Sequence, residues 1–398
     1  MLRSAPARAL LATLCLTLLV CATPAAACSW DYLIWMPRHR DADPLYRFVR
    51  GGKAGYIDRA GSIVVEPKFE VYGNGSGYFS DGLLKVGVAS GEYVDAAGKT
   101  AIEDKFSSSW AFSEGLAAAL DEKTKTWGYI DSAGRFAISP RFETYPHGYV
   151  SSFSGGLARI EVKDRHGFID RAGEFVIAPT FLMADDFSDG MARVVVEGPC
   201  AYSGDGPCPD FRILGRARDE RRVPPCKFTF VDRGGSVLGA RFDGAGKFSE
   251  GLAPFKRGGK WGYVDKTGRV VIAPRFDGAQ PFSEGLARVT QGRLYGFIDR
   301  SGEFAVPPGF EYADDFSEGL AAVGSLRREG PGDLRYIDRS GRAVIAGPFY
   351  RASHFFKGLA HVEFAPLKKG DDPLHTRRFA YVDAAGKTVF AYEVERED

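Results

Sequence analysis

Lys260 to Val289 reads KWGYVDKTGRVVIAPRFDGAQPFSEGLARV. Trp261, Gly262, Tyr263 and Val264 make a short strand, with Trp261 and Tyr263 on one face and Val264 on the other. Asp265-Lys266-Thr267-Gly268 is a hairpin connection. The Asp265 carboxylate can accept bonds from turn amides, and Gly268 can take the left-handed conformation that ends a type I turn with a bulge. Arg269 to Ala273 returns as a second strand, and Pro274 is expected to end it by withholding a ladder donor. An irregular stretch follows. Phe282-Ser283-Glu284-Gly285-Leu286 then supplies another turn, and Leu286 to Val289 opens a third strand. A unit this small cannot bury its apolar face alone, so it needs copies of itself as neighbours.

The copies are present. An aromatic residue, Ile or Val, Asp, two variable residues and Gly recur nine times, with turns at Asp58/Gly61, Asp95/Gly98, Asp131/Gly134, Asp170/Gly173, Asp232/Gly235, Asp265/Gly268, Asp299/Gly302, Asp338/Gly341 and Asp383/Gly386. The Phe-to-Leu turn recurs with them, as in Phe112–Leu116, Phe248–Leu252 and Phe316–Leu320. Leu45 to Val49 looks like the third strand of a missing earlier unit. The charged run from Tyr392 to Asp398 suits an exposed sheet edge protected against aggregation. The expected fold is all-β: a tandem array of about nine three-stranded repeats over residues 45–398. An open, solenoid-like superhelix is favoured over a closed propeller-like ring, because a propeller blade typically has four strands. Strand exchange between units would remove that difference.

Residues 1–27 read as a secretory signal, with Arg3 and Arg8, an apolar run from Leu10 to Val20, and small residues before Cys28. Residues 28–44 form a linker. The apolar run is too short for a comfortable membrane span. The expectation is export to the periplasm or the exterior, with a lipid anchor on Cys28 as an option. In an oxidising compartment Cys200 and Cys208 are the favoured disulfide pair, leaving Cys226 to pair with Cys28 or stay free. Basic and acidic side chains nearly balance, 52 against 51. That argues against a nucleic-acid surface.

Chemistry is scarce in this sequence. Six histidines occupy unrelated repeat positions, and there is no serine elbow, phosphate loop or nucleotide fingerprint. No cofactor and no metal is expected. Asp185-Asp186 and Asp314-Asp315 suggest a cation site, but other units hold Gly246-Lys247 or Gln280-Pro281 there, so turn capping is the better account. The pattern breaks between Asp170 and Asp232, 62 residues apart. The insertion at about 197–227 carries Arg212, Arg216, Arg218, Arg221 and Arg222, candidates for contact with an acidic partner, against the plainer reading of a solvated excursion.

The units resemble WG repeats, also called KWG repeats, known mainly from bacterial proteins. Trp-Gly stands intact at Trp127-Gly128 and Trp261-Gly262, and varies as His166-Gly167, Tyr295-Gly296 and Ala54-Gly55. Other units depart further, as in Phe228-Thr229 and Leu334-Arg335. The resemblance implies structural or interaction modules with no shared catalytic motif. The expected function is therefore a noncatalytic scaffold for a protein partner in the cell envelope. A glycan or peptidoglycan binder is the alternative, and a hydrolase with a composite site between repeats comes last.

Overall fold

The computed structural model describes residues 45–70, 77–87, 91–143, 150–197, 226–325, 333–364 and 376–395. The signal segment, Cys28, Cys200, Cys208 and Arg212, Arg216, Arg218, Arg221 and Arg222 lie outside these residues. Cys226 is disulfide-bonded.

Numbering the units 1 to 9 by their hairpin aspartates, the described residues form only antiparallel β-structure, with no helix. Unit 6 shows the plan, with strands Gly244–Ala245, Leu252–Arg257, Lys260–Asp265 and Val270–Phe276 paired in that order. The stretch that the sequence leaves irregular therefore supplies a short inner strand, which makes the count four. Units 3, 7 and 8 do the same, unit 5 has the inner strand Met183–Ala184, unit 2 instead pairs Phe79–Ser80 of its Phe-to-Leu turn, and unit 4 makes a single bridge, Val150 to Ile160. In unit 9 the inner strand is the end of Ala343–Ala352, a strand continuous with unit 8, so these two units share a seven-stranded sheet. Unit 1 has three strands, Tyr46–Arg50, Lys53–Ile57 and Ile63–Glu70.

Pro274 does not end the return strand, which runs on to Phe276 with a register shift opposite Gly262. The shift is a β-bulge. It places the proline where no ladder donor is needed and sharpens the local twist.

Three contacts repeat at the junctions between units. The aromatic residue of each Trp-Gly-type strand meets the phenylalanine of the next unit's Phe-Ser-Glu-Gly-Leu turn, edge to face, at all eight internal junctions. Examples are Tyr263–Phe282 at 4.9 Å and Phe297–Phe316 at 4.7 Å. Where that residue is tyrosine, its hydroxyl donates to a carbonyl on the next inner segment, as from Tyr129 to Ser151 at 2.7 Å and from Tyr336 to Ser353 at 2.7 Å.

The third contact corrects the sequence reading of the hairpin glycines, which gave them a turn role alone. Gly98, Gly134, Gly341 and Gly386 do take the positive φ of that role, at 75°, 72°, 84° and 80°. Yet none of the four is an exposed turn tip: Gly98 and Gly134 are buried, and Gly341 and Gly386 are half-buried. Each packs on the return strand of the preceding unit. A Cβ at Gly98 would lie 2.8 Å from Val65, one at Gly134 2.7 Å from Ile102, and one at Gly173 2.6 Å from Ile138. One at Gly302 would lie 3.0 Å from Ile272, one at Gly341 3.1 Å from Val306, and one at Gly386 2.9 Å from Ile345. The missing side chain thus serves the junction as well as the turn.

The same contacts recur across the chain ends. Tyr381 meets Tyr46 edge to face at 5.4 Å and donates to the Arg47 carbonyl at 2.5 Å. A Cβ at Gly61 would lie 2.7 Å from the Val389 carbonyl. Tyr46, Phe48, Ile57, Leu359 and Tyr381 form one core cluster. Unit 9 thus packs on unit 1 as every unit packs on its successor, and the all-β array takes its ring form in place of the open superhelix favoured from strand counting. Phe390 and Tyr392 are part of that seam, with ring centroids 5.0 and 6.0 Å from that of Phe48, so the far end is only partly an exposed edge. Tyr46 stands where other units have alanine or leucine, and its bulk fills the place taken elsewhere by the turn phenylalanine.

Candidate binding face

An antiparallel meander sends alternate turns to the same side. The Phe-Ser-Glu-Gly-Leu turns and the Asp-x-x-Gly hairpins therefore share one face of the ring. In each Asp-x-x-Gly hairpin the aspartate accepts from two amides. Asp265 Oδ1 takes Thr267 N at 3.0 Å and Arg269 N at 3.1 Å. The same pair of bonds recurs from Asp58 to Asp383. The Thr267 hydroxyl, joined by Arg269, holds the Asp265 carboxyl down at about 2. These groups are consumed in making the turn.

The Phe-Ser-Glu-Gly-Leu turns are two-residue hairpins with both central residues at positive φ, 55° at Glu284 and 78° at Gly285, the twist that suits tight β-hairpins. A glutamate in this conformation is strained. Its carboxylate gains a compensating partner in the next unit. Glu114 accepts from Gly155 N and Gly156 N, both at 2.8 Å, and Glu284 accepts from Glu318 N at 2.6 Å and Gly319 N at 2.8 Å. Asp81, Asp189, Glu250 and Glu318 each take one such amide. The preceding serine ties the same turns together: Ser113 donates to Phe153 O, Ser154 to Phe187 O and Ser283 to Phe316 O, all at 2.7 Å. A cation from the following unit's hairpin sits over several of these turns. Lys266 pairs with Asp189 at 2.7 Å, and Arg300 donates to the Glu250 carbonyl at 2.7 Å. The result is a belt of alternating acid and base around the ring.

A second layer lies deeper. Arg159 is 3 % exposed, donates to the Ala184 carbonyl and lies 3.5 Å from Asp186. Arg193 pairs with Asp185 at 2.7 Å, and Arg288 pairs with Asp315 at 3.1 Å while donating to the Ala313 carbonyl. The acidic pairs Asp185-Asp186 and Asp314-Asp315 therefore serve arginines. The sequence carried a signal for this: units 4 and 7 have Arg in Leu-Ala-Arg, and the units after them have Asp-Asp. No group of three or more metal-ligating side chains occurs among the described residues, and no described helix is long and apolar enough to cross a membrane.

The repeated aromatics do not line a site. Tyr56, Tyr93, Tyr129, Phe168, Phe230, Tyr263, Phe297, Tyr336 and Tyr381 are all buried. Trp110 is different: it is 41 % exposed and stacks on Trp127 at 6.2 Å with the rings 13° apart. His166, in the Trp position of unit 4, is buried and has no hydrogen-bond partner on Nδ1. Burial, with Arg159 nearby, pushes its pKa down to about 4.

The ring is similar in fold to the crystal structure of a eukaryotic initiation factor, with a TM-score of 0.58 and 11% identity over 89% of this chain and 96% of that one. Hsv2 from Kluyveromyces lactis has a TM-score of 0.34 and 6% identity, covering 79% and 94% of the two chains. A quinonprotein alcohol dehydrogenase-like protein from Bacteroides thetaiotaomicron has a TM-score of 0.31 and 11% identity, covering 71% and 74%. No curated protein matches the chain in sequence. The WG containing repeat matches residues 55–87, 127–165, 167–198, 228–261, 261–295 and 295–324, about half of the chain. With the repeated turns, the bulged return strands and this match, the chain belongs to the WG repeat family.

Proposed function

We propose that the chain is an exported, noncatalytic ring that binds a protein partner through its turn face. The observation that carries this reading is the belt of turns. It holds charged side chains in fixed positions around a rigid ring, while the residues that repeat most strictly are used up in packing and turn formation. A fixed pattern of exposed charge suits recognition of a protein surface, where complementarity sets specificity and orientation. The family consists of repeat modules of a noncatalytic type, which is consistent with this use. Export rests on residues 1–27, and mass spectrometry of the mature amino terminus decides between a free end, a lipidated Cys28 and no cleavage. Capture of protein partners from envelope extract, retained after glycosidase treatment, is the expected result. Loss of all partners on that treatment would sink the reading.

The stacked Trp110 and Trp127 favour a second reading, a glycan binder, because an exposed indole offers a flat face to a sugar ring. Replacing Trp110 with Ala would then abolish retention on a peptidoglycan column. On the protein-partner reading it leaves capture from envelope extract intact.

A further inference from the structure

From unit 2 to unit 8 the acid belt has one gap. Unit 4 reads Phe153-Ser154-Gly155-Gly156-Leu157, so Gly155 stands where the six other units of this run carry Asp or Glu. The backbone around the gap is unchanged. Gly155 has φ 62° and Gly156 φ 81°, matching the acid-bearing turns, and Ser154 makes its usual bond to Phe187 O at 2.7 Å. Only the carboxylate is missing. Its receptor is in place: the amides of Asp189 and Gly190 occupy the positions that Glu318 and Gly319 occupy opposite Glu284, and neither has an acceptor among the described residues. The Asp189 carboxylate itself faces away, engaged by Lys266 and Gly251 N.

A cation completes the arrangement. Arg233 follows the hairpin aspartate of unit 5, the place from which Lys266 and Arg300 reach acid-bearing turns. Its guanidinium lies over the unit 4 turn, where a Cβ at Gly156 would be 2.7 Å from Nη2. Arg233 is exposed and has no ion pair among the described residues. Space is available as well, since a Cβ at Gly155 would meet only Phe187 Cβ, at 3.4 Å.

We propose that this gap is a docking socket for a carboxylate from an acidic side chain of a protein partner, which completes the belt from outside. The proposal rests on the protein-partner reading above and names the chemistry that one point of contact recognises. Two adjacent amides match a planar carboxylate, as Glu114 and Glu284 demonstrate within the same ring, and the Arg233 guanidinium adds a charge-assisted donor beside them. The partner therefore presents a Glu or Asp at the tip of a loop or turn.

The test uses the isotopically labelled full chain and two capped peptides, Ser-Glu-Gly and Ser-Gln-Gly. The acidic peptide shifts the amide resonances of Asp189 and Gly190 and leaves those of Gly319 and Gly285 in place, while the Gln peptide shifts none of them. Gly155→Glu fills the socket from within, abolishes the response and keeps or raises the melting temperature. The exposed substitution Arg233→Gln keeps the fold and weakens the response roughly tenfold. No response from the native chain overturns the socket, as does an undiminished response in Gly155→Glu. An equal response to inorganic phosphate overturns its selectivity for carboxylate. If the peptide binds as described while envelope extract yields no protein partner, the socket stands and the partner reading fails.

Discussion

Individual side chains show how a repeat position takes on a private role. His361 belongs to unit 9, at the place where units 4, 5 and 7 carry arginine. It lies against Phe379, Tyr381 and Tyr392, with Nε2 2.9 Å from the Tyr392 hydroxyl. Burial pushes its pKa down to about 3, helped by Arg47 and Arg377. His166 is lowered to about 4 by the same cause. An unfolded histidine titrates near 6.5, so between that value and about 4 the unfolded chain binds protons that the folded chain refuses. Stability is then fully present above about pH 6.5 and declines as the pH falls. At pH 5 each histidine lowers the unfolding free energy by up to ~2 kcal/mol relative to pH 7. Urea unfolding at the two pH values measures this. His361→Phe should remove about half of the difference, and an unchanged difference would show that the histidine is charged in the folded ring. None of this was legible in the sequence, where His361 is simply one of six scattered histidines.

At the scale of the strand pair, the Trp-Gly signature has a steric origin. The bulge brings the return strand so close that a Cβ at Gly262 would lie 2.3 Å from the Ile272 carbonyl oxygen, and one at Gly167 would lie 2.5 Å from that of Ile177. Units that lack the glycine avoid the collision by other means. Unit 5 has Thr229 there, and its return from Asp232 to Phe242 is one residue shorter than that from Asp265 to Phe276, which leaves a smaller excess between the Phe228–Phe242 and Val231–Val237 bridges. Unit 8 has Arg335, and the glycine has moved across to Gly347, where a Cβ would lie 2.1 Å from the Leu334 carbonyl. Gly262→Ala is therefore expected to destabilise the ring by about 1–3 kcal/mol, a typical overpacking cost. Ala380→Gly, in unit 9 where that close approach is absent, should cost less than about 1 kcal/mol. Equal losses in the two variants, measured by denaturant midpoint, would rule out the steric account. The Asp-x-x-Gly and Phe-Ser-Glu-Gly-Leu turns were readable in sequence because both are local. The partner of each carboxylate was not, because Glu114 reaches an amide 41 residues away and Asp189 one 62 residues away. The second duty of the hairpin glycines was hidden for the same reason: Gly98 meets Val65, and Gly386 meets Ile345, only once neighbouring units are stacked.

Over the whole molecule, the repeat count and the all-β class were legible, and the closure was not. The extra inner strand comes from an irregular stretch with no alternating pattern, and closure rests on Tyr46, whose significance appears only beside Tyr381. Tyr46→Ala removes the edge-to-face partner of Tyr381 and the hydroxyl that donates to Lys357 O at 2.8 Å. The expected cost is about 3–5 kcal/mol, the range for deleting a large buried aromatic. Amide hydrogen exchange should accelerate in 46–57 and 376–395 while 260–298 keeps its protection, since units elsewhere retain both neighbours. Uniform acceleration around the ring would mean that the seam carries no special weight.

The seam also sets an order of events during synthesis. Tyr381 and the carbonyl it grips are separated by 334 positions, and chains emerge from the ribosome amino end first. Units 1 to 8 can therefore assemble one on another while the first strand waits without its mate. A polypeptide cut short before Tyr381 would leave that greasy surface permanently uncovered, and chaperones and proteases could recognise it as unfinished.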